Sequence, residues 1–335
     1  MTRRGVAQWA VGFGVFGMIG LGAGAWWTHG QWDWQSQAGA TLDLSPGQAL
    51  PSFALELEAR GVIRSALALR VAARARGSDR DIGAGRYQFD PGMRLVDVLT
   101  RLEVGEVLMV SRTIPEGLTI PKVAARLFPE DAAEREEFVR LALNPAELGI
   151  SAPPTGHLEG YLFPDTYRLP DPPTAAQALG AMCENGLRRT SELRAYADSV
   201  GTAWHQVLAM AAIVEGEATV AGERAKISGV YHNRLRRGML LQADPTVAYA
   251  TGKIGERLFY RDLEVDSPYN TYRYAGLPPG PINNPGLAAM EAALQPESHQ
   301  LLYFVHRGDG THEFSRTHRE HLRAVRRARE NRRNR

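Results

Sequence analysis

Two stretches of this 335-residue chain are uncharged and long enough to dictate structure. The first runs from Val6 to Trp27 behind the pair Arg3-Arg4. As a helix it spans roughly 33 Å, enough to cross a bilayer. The second runs from Val207 to Val214, eight apolar residues without a turn former, and then meets Glu215-Gly216-Glu217. A helix that is apolar all round is buried all round, so this segment predicts a central helix whose end leaves the core. Successive helical residues turn by about 100°, so Glu215 and Glu217 diverge by about 200°. Glu217 shares a face with Gln206, Met210 and Ile213, and Glu215 shares one with Trp204, Leu208 and Ala211. One of the two is a candidate catalytic acid and the other a structural carboxylate. The plainer reading, that both are solvated at a helix C-terminus, is weakened because acids there oppose the helix dipole.

Between these stretches the pattern is that of a small α+β module. A strand is predicted at Ala40–Leu44 and a turn at Ser45-Pro46-Gly47, then helices at Ala49–Ala59 and Ser65–Arg76 with Gly77 as C-cap. A strand at Ile82–Phe89, a helix from Leu95 that ends near Gly105, and a strand at Val107–Ile114 follow. Two amphipathic helices are expected between Ile120 and Leu148, and a helix-rich region from Thr174 to Arg237. Asp244 reads as an N-cap with Pro245 at the first helical position, and Asn284 as the cap of a helix through Ala293. Leu301–His306 and Thr311–Ser315 read as a hairpin around Gly308-Asp309-Gly310.

Composition adds three constraints. The 44% hydrophobic and 23% charged content is that of a globular protein with room for two domains. The net charge of +2 hides an uneven distribution, because residues 322–335 hold seven Arg against the one acid Glu330. The body is therefore mildly acidic and does not read as a nucleic-acid binder. The Arg-rich end reads as a frayed helical tail, with anionic polymer or lipid as its alternative target. The single Cys183 excludes an internal disulfide framework. At the N-terminus, Trp26, Trp27, Trp32 and Trp34 fit an aromatic belt, and Arg3-Arg4 fits the positive-inside rule, which puts the body outside the cytoplasm. A cleaved signal peptide is the rival, but the apolar run is long for one, so an uncleaved anchor is favoured.

Candidate chemistry gathers in the second half. His157-Leu158-Glu159-Gly160-Tyr161-Leu162-Phe163-Pro164-Asp165-Thr166-Tyr167 interleaves aromatics with acids, as suits a sugar cleft, or equally a buried aromatic loop. Asp266-Ser267-Pro268-Tyr269-Asn270-Thr271-Tyr272 and the Pro/Gly-rich run from Gly276 to Gly286 fix backbone and present Tyr and Asn side chains, as a binding wall requires. His306, His312, His318 and His321 match no zinc spacing, and no metal or other cofactor is expected.

Taken in order, these pieces resemble the MltG/YceG-like family, the endolytic murein transglycosylases of bacterial inner membranes. The resemblance rests on Glu159-Gly160, Pro164-Asp165-Thr166, Ile213–Glu217, Val230 with Asn233-Arg234-Leu235, and Gln242 with Asp244-Pro245-Thr246-Val247. It continues through Ser267–Tyr272, Gly276–Ile282, Tyr303-Phe304-Val305, His312 and Phe314, so it covers about 155–325. The family usually has Lys and Thr where this chain has Gly216 and Ala218, and Gly216 is expected to loosen the helix end.

The resemblance implies an α+β chain. Its divisions are a cytoplasmic N-terminus at 1–5, a transmembrane anchor at 6–27, a linker at 28–39, a LysM-like subdomain at 40–112, a helix-rich lytic-transglycosylase-type catalytic domain with short β elements at 113–325, and a basic tail at 326–335. It implies cleavage of the β-1,4 bond between N-acetylmuramic acid and N-acetylglucosamine within peptidoglycan strands, leaving 1,6-anhydro ends. Most glycosidases use two carboxylates. An intramolecular nucleophile leaves work for one, which protonates the leaving oxygen and then accepts the C6 hydroxyl proton. Such an acid needs an apolar setting and a raised pKa. By the family pattern it is Glu217, with Glu215 in support. Glu159, Asp165, Gln242, Asp244, Tyr269, Asn270, Tyr272 and Asn283 are the substrate-binding candidates. The implied partners are glycan strands, the membrane and wall-synthesis proteins. A hydrolytic muramidase on the same scaffold and a non-catalytic glycan-binding scaffold are the alternatives.

Overall fold

The structure is a computed structural model and describes residues 33–45, 47–78 and 82–333. The expected anchor at 6–27 lies outside the described residues. Among the described residues no helix is long and apolar enough to cross a membrane. The chain divides into two compact units, one reaching Val110 and taking in Leu169–Pro173, the other formed by Ser111–Arg168 and Thr174–Arg335.

The first unit has the order β1 (Ala40–Leu44), α1 (Leu50–Ala59), α2 (Ala66–Arg76), β2 (Gly85–Phe89), α3 (Leu95–Val104). Strands β1 and β2 are antiparallel, with Ala40 opposite Phe89 and Leu44 opposite Gly85. Alternation puts Leu42, Leu44, Tyr87 and Phe89 on one face, where they bury against Phe53, Leu57, Leu69 and Leu99 of the helices. Ser65 caps α2 by accepting from the Ala68 amide, and Gly77 ends it in the left-handed conformation. The strand expected from Ile82 begins only at Gly85.

The second unit is mostly helical. Strands β3 (Met109–Thr113) and β4 (Thr166–Pro170), of which 111–113 and 166–168 belong to this unit, pair as a two-stranded sheet. Helices α4 (Ile120–Leu127), α5 (Ala132–Leu143), α6 (Ala175–Arg189) and α7 (Ser191–Ser199) precede α8 (Trp204–Glu217). Every residue of α8 from Val207 to Val214 is buried, as an all-apolar helix requires. It packs against α9 (Arg224–Arg236), α10 (Asp244–Thr251) and, most extensively, α11 (Leu287–Leu294). Strands β5 (Tyr303–His306) and β6 (His312–Ser315) form the expected hairpin, with His306 opposite His312.

Three local expectations are corrected. The α10 N-cap is Ala243, not Asp244, because the Ala243 amide is held by Thr271 Oγ1 at 3.0 Å while the Asp244 carboxylate accepts from Tyr272. The α11 N-cap is Gly286, not Asn284, whose side chain is fully engaged elsewhere. The Arg-rich end is not frayed through 328. It forms α12 (His318–Arg333), which buries Ala324 and Ala328 and packs on β5 and β6.

Candidate active site at the end of the central helix

Helix α8 delivers its two carboxylates to different places. Glu217 keeps one edge open to solvent while the rest of it lies in dense protein. Burial pushes its carboxyl up from 4.5 to about 7, and the nearby Asp244 charge adds to the rise. The buried Tyr231 of α9 donates its hydroxyl to Glu217 Oε1 at 2.8 Å, which opposes the rise, as does the Arg234 charge. Glu217 Oε1 is thereby oriented toward α9.

Asp244 and Tyr272 complete the surroundings of Glu217. Tyr272 donates to Asp244 Oδ1 at 2.6 Å, and burial together with Asp244 and Glu217 holds the Tyr272 phenol well above its usual range. Arg234 is buried and fixed from two sides, by Leu302 O at 2.7 Å and Leu241 O at 2.6 Å. Two residues before Asp244, Gln242 has φ 50, and among the described residues no other non-glycine has positive φ. Its amide donates to Thr271 O at 3.0 Å and its side chain is exposed. A backbone outlier of this kind persists where its surroundings over-determine it, typically at a binding or catalytic site.

Glu215 turns the other way. Its side chain is 8% exposed, accepts from Arg224 at 3.1 Å and from the Gly286 amide at 3.3 Å, and so ties α8 to the starts of α9 and α11. Between the two acids, Gly216 does not loosen the helix, which continues through Glu217. Its role is clearance: a Cβ there would meet Pro245 Cβ at 2.8 Å and Cγ at 2.9 Å. Glycine lets α10 approach closely enough to bring Asp244 near Glu217.

The remaining candidates divide by geometry. Asn283 is buried, donates to Ala212 O at 2.9 Å and leaves Oδ1 without a partner. Glu159 is 2% exposed and accepts from the Ile120 amide at 3.2 Å and from Asn284 Nδ2 at 3.0 Å. Asn284 also donates to Leu118 O and accepts from the amides of Gly160 and Leu162, each at 2.9 Å. Glu159 and Asn284 thus brace the loop, and burial pushes Glu159 up to about 8. Gly160 must be glycine there, with φ 84 and Pro281 pressed against it. Asp165 is held by Asn185 at 3.0 Å, which keeps its carboxyl below the usual range. Asn270, fully buried, donates to Leu263 O and Val265 O and accepts from the Tyr272 amide, so it shapes the turn that aims Tyr272. Tyr269 packs against the Tyr249 ring at 5.0 Å. Among the described residues no three His, Cys, Asp or Glu are grouped to hold a metal.

The pairing of a raised Glu217 with Asp244 and Tyr272 coincides with a sequence match to the family described as YceG-like, over residues 42–327. The chain belongs to the YceG-like family. It is 32% identical over 305 residues to the endolytic murein transglycosylase of Bacillus subtilis (strain 168), covering 86% of this chain and 84% of that protein. It is 28% identical over 304 residues to the endolytic murein transglycosylase of Streptococcus pneumoniae (strain D39), covering 82% of this chain and 55% of that protein. The crystal structure of a YceG-like protein from Listeria monocytogenes matches with a TM-score of 0.58 at 31% identity, over 85% of this chain and 98% of that one.

Sequence reasoning missed Tyr231 and Arg224. Tyr231 follows Glu217 by fourteen positions on another helix, and no spacing rule links them. Only the mutual packing of α8 and α9 brings them together.

Proposed function

We propose that this protein is an endolytic murein transglycosylase with Glu217 as its acid and base. The observation that carries the reading is a carboxyl raised to about 7, hydrogen-bonded by a buried tyrosine, in a family whose curated members bear that name. Glu217 donates its proton to the glycosidic oxygen as the muramyl C1–O bond breaks. The muramyl C6 oxygen then bonds to C1, its proton passes to the Glu217 carboxylate, and a 1,6-anhydro end remains with no water consumed. Tyr231 orients Glu217, and burial, aided by the Asp244 charge, keeps it protonated. Tyr272, Gln242, Asn283, Tyr269 and the turn held by Asn270 form the wall that receives the sugars, while Glu159 and Asp165 support it.

The same reading assigns 6–27 as a membrane anchor in the inner membrane, with the two units outside the cytoplasm and wall-synthesis proteins as neighbours. The β1–α1–α2–β2 order with antiparallel strands supports a LysM-like, glycan-contacting role for 40–112. Product masses after digestion of peptidoglycan test the chemistry. Strand ends one water lighter than reducing ends are expected, and reducing ends alone would replace the reading with a hydrolytic muramidase.

A further inference from the structure

A pocket of about 480 Å³ lies beside α8, lined by His205, Gln206, Ala209, Leu235, Leu277 and Pro279 among others. The three elements that carry Glu217, Tyr231 and Tyr272 also build this pocket. Gln206 precedes Glu217 on α8 by eleven positions, which returns it to within about 20° of the same face and displaces it by about 16 Å along the axis. Leu235 follows Tyr231 by one turn of α9. Leu277 and Pro279 lie a few residues beyond Tyr272 on the same loop.

The pocket wall is held in place. His205 Nε2 lies 2.6 Å from the carbonyl of Pro279, so that nitrogen is the donor. Its Nδ1 lies 2.9 Å from the Tyr161 hydroxyl, which pins the ring from the other side. Thr155 and His205 press against Gly280, where a Cβ would meet them at 2.5 Å and 3.2 Å. Leu235, Leu277 and Pro279 give the pocket an apolar side, and the exposed Gln206 shares its lining. That combination suits an N-acetylated sugar, whose ring face and acetyl methyl take the apolar side and whose hydroxyls and amide take the glutamine.

The geometry points to this pocket as a remote saccharide subsite, which holds a sugar of the glycan strand several units away from the bond cleaved at Glu217. The inference rests on the proposed function for the identity of the polymer. Only a strand that continues past the cleaved bond reaches the pocket.

Two measurements on the full chain test it with the substitutions Gln206→Ala and Leu277→Ser, singly and together. In the first, kcat/KM is compared between long uncrosslinked glycan strands and a peptidoglycan tetrasaccharide. The double variant is expected to lose about tenfold or more on long strands, at least fivefold more than on the tetrasaccharide, with the long-strand loss in KM. In the second, a fluorescently labelled long glycan strand is titrated against Glu217→Gln, with and without the pair. The pair is expected to weaken binding about tenfold. Equal losses on both substrates, or unaltered strand binding, overturn the subsite. Binding does not depend on turnover, so a chain that binds strands through this pocket but cleaves nothing supports the subsite and overturns the proposed reaction.

Discussion

The hydroxyl of Tyr231 donates to Glu217 Oε1 at 2.8 Å from the buried face of a neighbouring helix. A carboxylate in that position would be a better acceptor than a carboxylic acid, so the contact pulls the Glu217 pKa down against the larger upward push of burial. The two effects leave Glu217 near neutrality, where an acid that must both give and take a proton works best.

Removing that donor shifts the balance in a known direction. Tyr231→Phe is expected to raise the Glu217 pKa above about 7. The alkaline limb of the pH profile of kcat/KM, which marks loss of the Glu217 proton, should then move to higher pH. A limb that stays in place, or moves down, contradicts the role given to Tyr231.

Gly216 offers a steric test. In Gly216→Ala the new methyl carbon meets Pro245 at 2.8 Å, and backbone on one side or the other must give way. Crowding of this kind costs about 1–3 kcal/mol. A lower melting temperature is expected, with a larger fall in activity as Asp244 moves from Glu217. A variant with both properties unaltered would show that the close approach of α10 is not needed.

Glu159 links stability to pH. Its pKa rises from 4.5 to about 8 in the folded chain, so between those values the folded state holds a proton that the unfolded chain has released. The contribution of this group to stability therefore falls as pH rises through that window. Glu159→Gln should flatten the pH dependence of denaturant-induced unfolding between pH 5 and 8. Glu159→Ala leaves the Ile120 amide and Asn284 Nδ2 without their acceptor and should cost about 2–4 kcal/mol. An unaltered pH slope in Glu159→Gln contradicts the assignment.

Glu215 should behave as a tie. Glu215→Ala strips the largely buried Arg224 and the Gly286 amide of a shared acceptor, with an expected cost of about 1–3 kcal/mol in unfolding experiments. Activity that survives should keep the wild-type pH profile. A displaced profile would give Glu215 a part in the proton transfer.

Much of this arrangement was legible because it follows from local rules. The apolar run of α8 demanded burial, the helical repeat separated Glu215 from Glu217, and Ser65 and Gly77 marked the ends of α2. What was not legible depends on side chains meeting across the fold. Asp244 and Asn284 read as helix caps by residue type, yet the caps fall on Ala243 and Gly286, while Tyr272 claims Asp244 and a four-bond network around Gly160, Leu162, Leu118 and Glu159 claims Asn284. Gly216 looked like a weak point because its clearance with Pro245 exists only once α10 is docked. The sugar-cleft and buried-loop readings of 157–167 were equal in sequence, and the engagement of Glu159 favours the buried loop.

The central claim is that Glu217 performs the proton transfers, and Glu217→Gln tests it most directly. Purified peptidoglycan strands are incubated with the wild-type chain and the variant, and the products are weighed by mass spectrometry. The account predicts shorter strands with ends one water lighter from the wild type, and intact strands from a variant that still folds and still binds glycan. Wild-type cleavage by Glu217→Gln would contradict it.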